Sequence, residues 1–163
     1  IALTRSGVDK YAIEAADVIV VNRAGEVVAP LGEKPSAETL IHCRLYEDKN
    51  VGAVLHTHSV LGTRLSLVHE KDRELQVTGY EILKGLQGNR THFAKETIPV
   101  LPNSQDMKEF VSWMEALDYE TIHGFLIAGH GLYTWGRDLK EARRHVETFE
   151  FLFESIAYER LGF

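Results

Sequence analysis

Two histidines one residue apart close an apolar run, Gly52-Ala53-Val54-Leu55-His56-Thr57-His58-Ser59. In an extended strand the side chains at i and i+2 share a face, so His56 and His58 project into one space. Two converging neutral imidazoles begin a transition-metal site without completing it. A second apolar run, Gly124-Phe125-Leu126-Ile127-Ala128, ends in Gly129-His130-Gly131. Glycines on both sides permit close approach of another group and unusual backbone angles, which makes His130 the candidate third ligand. Three imidazoles leave one or two positions open on a metal, as in catalytic rather than structural zinc. Spacing alone does not choose Zn²⁺ over Mn²⁺, Fe²⁺ or Ni²⁺.

A metal with an open position acts as a Lewis acid on a bound carbonyl, and moving a proton as well requires a nearby carboxylate with a tuned pKa. Two glutamates are candidates. Glu81 lies in the mostly apolar segment Gly79-Tyr80-Glu81-Ile82-Leu83, where partial desolvation would raise its pKa. Glu38 falls in the first turn of a helix that begins at Pro35-Ser36. Ser6-Gly7 and Ser36 offer hydroxyl or backbone N–H donors to an anion, although short Ser/Gly segments are usually turns and caps. Among the remaining histidines, His42 and His145 fall on expected helices as surface or satisfied core residues. His69, His92 and His123 have no setting that singles them out.

The elements that must position these residues belong to a chain of 163 residues, long enough for one well-buried domain. Hydrophobic residues at 44% and charged residues at 26% are ordinary for a globular protein. A formal charge of -6 argues against a nucleic-acid groove or a basic membrane-surface patch. No apolar run approaches the ~18 residues of a membrane span. The single cysteine, Cys43, excludes an internal disulfide and fits a small buried residue on a helix in a cytoplasmic protein. No basic-then-apolar leader opens the chain, which starts at Ile1 as though an N-terminal portion were missing.

Leu3 to Lys10 reads as a turn. Asp17 to Val21 and Glu26 to Val28 form a hairpin around Asn22-Arg23-Ala24-Gly25. Ser36 stands where an N-cap belongs, for a helix running to about Asp48. Val51 to Leu55 is the strand that delivers the histidine pair. Helical spacing follows in Val60, Leu61, Leu65 and Val68, then a short extended piece over 75–78 and a short helix over 80–86. Thr97 to Leu101, with Pro99 inside it and Pro102 directly after, reads as an edge strand or extended loop. Ser104 can cap a helix through Phe110, Val111, Met114 and Leu117. The strands around His130 precede a long helix capped by Asp138, with Leu139, Ala142, Val146, Phe149, Leu152, Phe153 and Ile156 as its apolar stripe. Helices and short strands alternate irregularly with at least one hairpin, which indicates a mixed sheet covered by helices.

Taken together, Thr4-Arg5-Ser6-Gly7, Lys34-Pro35-Ser36-Ala37-Glu38-Thr39, His56-Thr57-His58-Ser59 and Gly129-His130-Gly131-Leu132-Tyr133-Thr134-Trp135-Gly136 resemble the class II aldolase/adducin family. The resemblance covers nearly the whole chain in order. It implies a three-layer α/β/α fold with a mixed, largely antiparallel central sheet, over a single domain spanning residues 1–163. It also implies Zn²⁺ on His56, His58 and His130, a sugar-phosphate substrate and a cyclic homotetramer. Tyr80-Glu81-Ile82-Leu83-Lys84-Gly85-Leu86 and Phe149-Glu150-Phe151-Leu152-Phe153 are most similar to the family's dehydratase branch, which acts on 5-methylthioribulose 1-phosphate. On that similarity Glu81 is the acid/base. Glu38 matches the acid/base of the family's aldolases, and Ser6, Gly7 and Ser36 match segments that hold the phosphate. Family members carry a further N-terminal helix and a phosphate loop before the segment where this chain begins. A retro-aldol enzyme and a non-catalytic adducin-like scaffold are the alternative readings.

Overall fold

The apolar run over 124–127 and the strand that follows it over 131–136 are buried on both faces, and this sets the layers. The structure is a computed structural model that describes residues 1–9 and 12–161. Along the chain it forms β1 (Ala2–Thr4), β2 (Val18–Val21), β3 (Val27–Ala29), α1 (Thr39–Leu45), β4 (Ala53–Thr57) and α2 (Val60–Val68). There follow β5 (Glu74–Val77), β6 (Glu96–Leu101), α3 (Met107–Met114), β7 (Gly124–Ile127), β8 (Gly131–Gly136) and α4 (Leu139–Leu161). Short 3-10 helices occupy Ala15–Asp17 and Glu81–Gly85.

The central sheet has the order β4-β8-β7-β6-β5, with β6 and β7 parallel and the other neighbours antiparallel. Successive residues of β7 serve opposite layers, as the period of two requires. Phe125 and Ile127 join Ile41 and Leu45 of α1 and Phe110 and Met114 of α3 in one core. Leu126 joins Leu65 of α2 and Phe149, Leu152 and Phe153 of α4 in the other. This is the expected three-layer α/β/α arrangement around a mixed, mainly antiparallel sheet.

The N-terminal hairpin forms as expected but stands apart from that sheet, as a three-stranded antiparallel meander β1-β2-β3. Ile19, Val21 and Cys43 make its own small core. Leu3 and Thr4, read as turn, pair with β2 instead; Lys10, from the same segment, lies outside the described residues.

Several elements differ from expectation. Helix α1 starts at Thr39 with Glu38 as its N-cap, because Ser36 folds the preceding turn by accepting from Thr39 N and Oγ1. Its last residue is Leu45. Helix α3 is capped by Asp106, whose carboxylate accepts from the amides of Lys108 and Glu109, while Ser104 bonds the Glu109 side chain. A carboxylate at a helix N-terminus gains from the dipole in addition to the hydrogen bonds. Strand β6 lies inside the sheet and not at its edge. Its Pro99 is tolerated because β7 pairs only with Val100 and Leu101, beyond the proline. On α4 the apolar stripe is buried except at Val146, which is half-buried, and Leu139, which is 64% exposed.

Candidate metal centre

Strand β4 runs beside β8 with His56 opposite Tyr133, and the two rings stack with centroids 4.1 Å apart at 16°. His56 Nδ1 donates to the Leu132 carbonyl at 2.8 Å, which fixes the tautomer and leaves Nε2 with a free lone pair. His58 follows two residues on, before Ser59 caps α2 by accepting from Gly62 N. The pair therefore converges as the strand period requires: the two Nε2 atoms lie 2.6 Å apart.

His130 sits in the turn between β7 and β8. Its carbonyl accepts from Thr63 Oγ1 at 2.8 Å, and Gly129 N donates to Ser66 Oγ at 2.9 Å, so α2 holds the turn from below. The two flanking glycines have different reasons. Gly129 has φ +66°, in the left-handed region. Gly131 passes so close to β4 that a Cβ would lie 2.1 Å from the Thr57 carbonyl oxygen. This close crossing brings His130 Nε2 to 3.1 Å from His58 Nε2.

The fourth converging group is Glu38. Its Oε1 is 3.0 Å from His130 Nε2 and its Oε2 is 3.6 Å from His56 Nε2. Tyr133 donates its hydroxyl to Oε2 at 2.9 Å, and burial together with this carboxylate raises the phenol's pKa. One ligand atom each from Glu38, His56, His58 and His130 all lie within 4.8 Å of one another. Burial pushes His56 down to about 4, against the pull of Glu38, and lowers His130 as well. Both rings are thus neutral at pH 7, the state in which imidazole ligates. Three imidazole nitrogens and one carboxylate oxygen, with one tautomer already fixed by a backbone carbonyl, fit a divalent transition metal.

The other residues singled out in the sequence fall elsewhere. Glu81 begins the 3-10 helix that buries Leu83 and, just beyond it, Leu86, and this geometry turns its carboxylate outward. The side chain is 69% exposed, hydrogen-bonds Lys84 and lies 3.7 Å from His92. The Lys84 bond lowers its pKa, so the expected rise does not occur. Within this chain Glu81 is not part of the four-residue cluster. Ser36 Oγ accepts from Glu38 N at 3.3 Å and so helps set the ligand turn. Ser6 N donates to the Lys34 carbonyl at 2.9 Å, and Gly7, at φ +77°, faces open space. This joins the Ser6-Gly7 loop to the segment that leads into Glu38.

Tyr133 was not singled out by sequence, although its place two residues after Gly131 on a buried strand carried a signal. Glu96, His123 and His145 form a second polar cluster that the sequence left without partners. Its only mark there was a charged residue at the head of an apolar strand.

The model of the family described as Class II Aldolase and Adducin N-terminal domain matches residues 1–156. The chain belongs to this family. Methylthioribulose-1-phosphate dehydratase of Xanthomonas campestris pv. campestris (strain 8004) is 46% identical over 154 residues, covering 93% of this chain and 70% of that protein. The enzyme of the same description from Sorangium cellulosum (strain So ce56) is 40% identical over 162 residues, covering 98% and 76%. Among solved structures, an L-fuculose 1-phosphate aldolase superposes with a TM-score of 0.75 at 21% identity, over 98% of this chain and 69% of that one. That likeness carries the fold. Family membership also accounts for the helix-flanked mixed sheet that holds the candidate metal ligands.

Proposed function

We propose that this protein is a lyase that dehydrates 5-methylthioribulose 1-phosphate to 2,3-diketo-5-methylthiopentyl 1-phosphate in methionine salvage. The observation that carries the reading is the convergence of His56, His58, His130 and Glu38 in a chain 46% identical to a methylthioribulose-1-phosphate dehydratase. Zn²⁺ is the metal we assign, on the nitrogen-rich donor set. When bound, it would supply Lewis-acid polarisation of the C2 ketone, which acidifies the proton on C3.

The protein's own groups do the rest. A carboxylate takes the C3 proton, the C4 hydroxyl leaves as water on accepting a proton, and the resulting enol tautomerises to the C3 ketone. We assign this proton transfer to Glu81, on its similarity to the dehydratase branch, with Glu38 as the second candidate. Glu38 is supported by position, because its carboxylate lies against two of the ligand nitrogens. Ser6, Gly7 and Ser36 are assigned to the phosphate, supported by the bond that ties the Ser6 loop to Lys34. A cytoplasmic homotetramer completes the proposal; no described helix is long and apolar enough to cross a membrane.

The test is to load the purified protein with Zn²⁺, add 5-methylthioribulose 1-phosphate and follow the diketone. Appearance of the diketone supports the dehydratase; cleavage into two carbon fragments would establish the aldolase reading instead. If Glu81→Gln leaves turnover intact while Glu38→Gln abolishes it, the proton-transfer role passes to Glu38.

A further inference from the structure

A second histidine pair lies away from the candidate metal ligands and grips the backbone of a single residue, Gln87. His123 Nε2 lies 2.6 Å from the Gln87 carbonyl oxygen, and its Nδ1 lies 3.0 Å from both carboxylate oxygens of Glu96. Both ring nitrogens therefore face acceptors, and only the imidazolium can donate from both. Glu96 is 1% exposed and also accepts from the His123 amide. His145 has the opposite arrangement. Its Nδ1 lies 2.7 Å from the Trp135 carbonyl and its Nε2 accepts from Gln87 N at 3.1 Å, which requires the neutral ring. The two rings meet edge-to-face with centroids 5.4 Å apart.

Gln87 is thus held by both its N–H and its C=O. It directly follows the turn that begins at Glu81, contains Gly85 and closes with the buried Leu86. A Cβ on Gly85 would lie 2.2 Å from Thr148 Oγ1, so this turn is seated directly on α4. We propose that His123, held by Glu96, and His145 are positioning residues that clamp Gln87 and with it the Glu81 turn, and that the His123 half of the clamp releases at alkaline pH.

The groups facing His123 are Glu96 on β6 and His145 and Glu141 on α4. Burial opposes its charge, but the Glu96 and Gln87 bonds and the Glu141 charge outweigh this and raise its pKa. When one proton leaves, the buried carboxylate keeps the remaining N–H, because an undonated carboxylate in the core costs more than an undonated carbonyl. Nε2 then presents a lone pair to the Gln87 oxygen, and that contact becomes repulsive. Glu96→Gln removes the conflict: the amide donates to Nδ1, and neutral His123 donates from Nε2 to Gln87 at every pH above its titration.

The clamp stands by itself, whereas its catalytic consequence rests on the reading that Glu81 moves a proton. The experiment measures amide exchange of Gln87 and Asn89 in the zinc-loaded protein from about pH 6 to 9.5, corrected for intrinsic rates, beside the NMR titration of the His123 ring. Protection at these amides is expected to fall about tenfold or more at the His123 midpoint, the factor equivalent to one hydrogen bond to a charged group. In Glu96→Gln it stays constant. Flat protection in the wild type through the ring titration, or retained pH dependence in Glu96→Gln, would overturn the clamp. With 5-methylthioribulose 1-phosphate, kcat is expected to fall on the same midpoint with KM unchanged, and this limb to vanish in Glu96→Gln. Protection that falls while kcat does not would leave the clamp standing and remove Glu81 from the chemistry.

Discussion

Tyr133 connects two parts of the metal centre that the chain order keeps far apart. Its ring backs His56 and its hydroxyl holds Glu38, so one buried side chain orients a strand ligand and a helix-cap ligand together. Partners of this kind are worth about 10–100-fold in metal affinity or activity. Tyr133→Phe keeps the stacking and removes the hydroxyl, and we expect turnover to fall within that range while the fold is retained. Steady-state kinetics beside a circular dichroism melt separates the two effects. Changing His58 attacks the site differently. It is the most exposed of the four converging groups, so His58→Ala leaves the core intact and removes a ligand outright. Elemental analysis after dialysis should then find little bound metal in a folded protein; full occupancy would take His58 out of the ligand set.

At the scale of elements, the start of α4 shows how a local sequence pattern becomes stability. Asp138 accepts from Glu141 N at 2.8 Å, and Glu141 accepts from the Arg137 amide and from the Arg137 and Arg144 guanidinium groups. The Arg137 hydrogen bonds outweigh burial and hold the Glu141 carboxyl at about 2. Because the folded value lies below the unfolded one of about 4.5, the contribution is complete above that pH and is lost as pH falls toward 2. Both arginines are solvent-exposed, which limits the effect to about 1–2 kcal/mol. Urea unfolding of Glu141→Gln should show that deficit at pH 7 and a smaller one at pH 3. The Asp138 cap was legible in the sequence, as were the β2–β3 hairpin and the strand that carries His56 and His58, because each depends on neighbours a few residues away. The convergence of His56, His58 and His130 was legible for the same reason, through strand period and flanking glycines. What was not legible depends on distant partners. The exposure of Glu81 follows from which side of its turn finds α4, and the Glu96–His123 pair from the packing of β6, β7 and α4. Neither relation is written in local spacing.

Across the whole molecule, the candidate ligands come from the cap of α1, the end of β4 and the turn between β7 and β8, on segments separated by most of the domain. An ion held by all of them binds the folded chain and not the unfolded one, so metal affinity adds directly to folding stability. Free metal at about 100 times its dissociation constant contributes roughly 2.7 kcal/mol, which for a domain of this size raises the melting midpoint by roughly 5–10 °C. Calorimetry in Zn²⁺ and again in chelator should show that difference in the wild type. The same comparison in His58→Ala should show almost none, since the exposed ligand completes the site without supporting the core. The two measurements decide the matter together. A wild type whose midpoint ignores chelation would mean that the converging histidines hold no metal. An equal shift in His58→Ala would place the stabilising ion elsewhere in the protein.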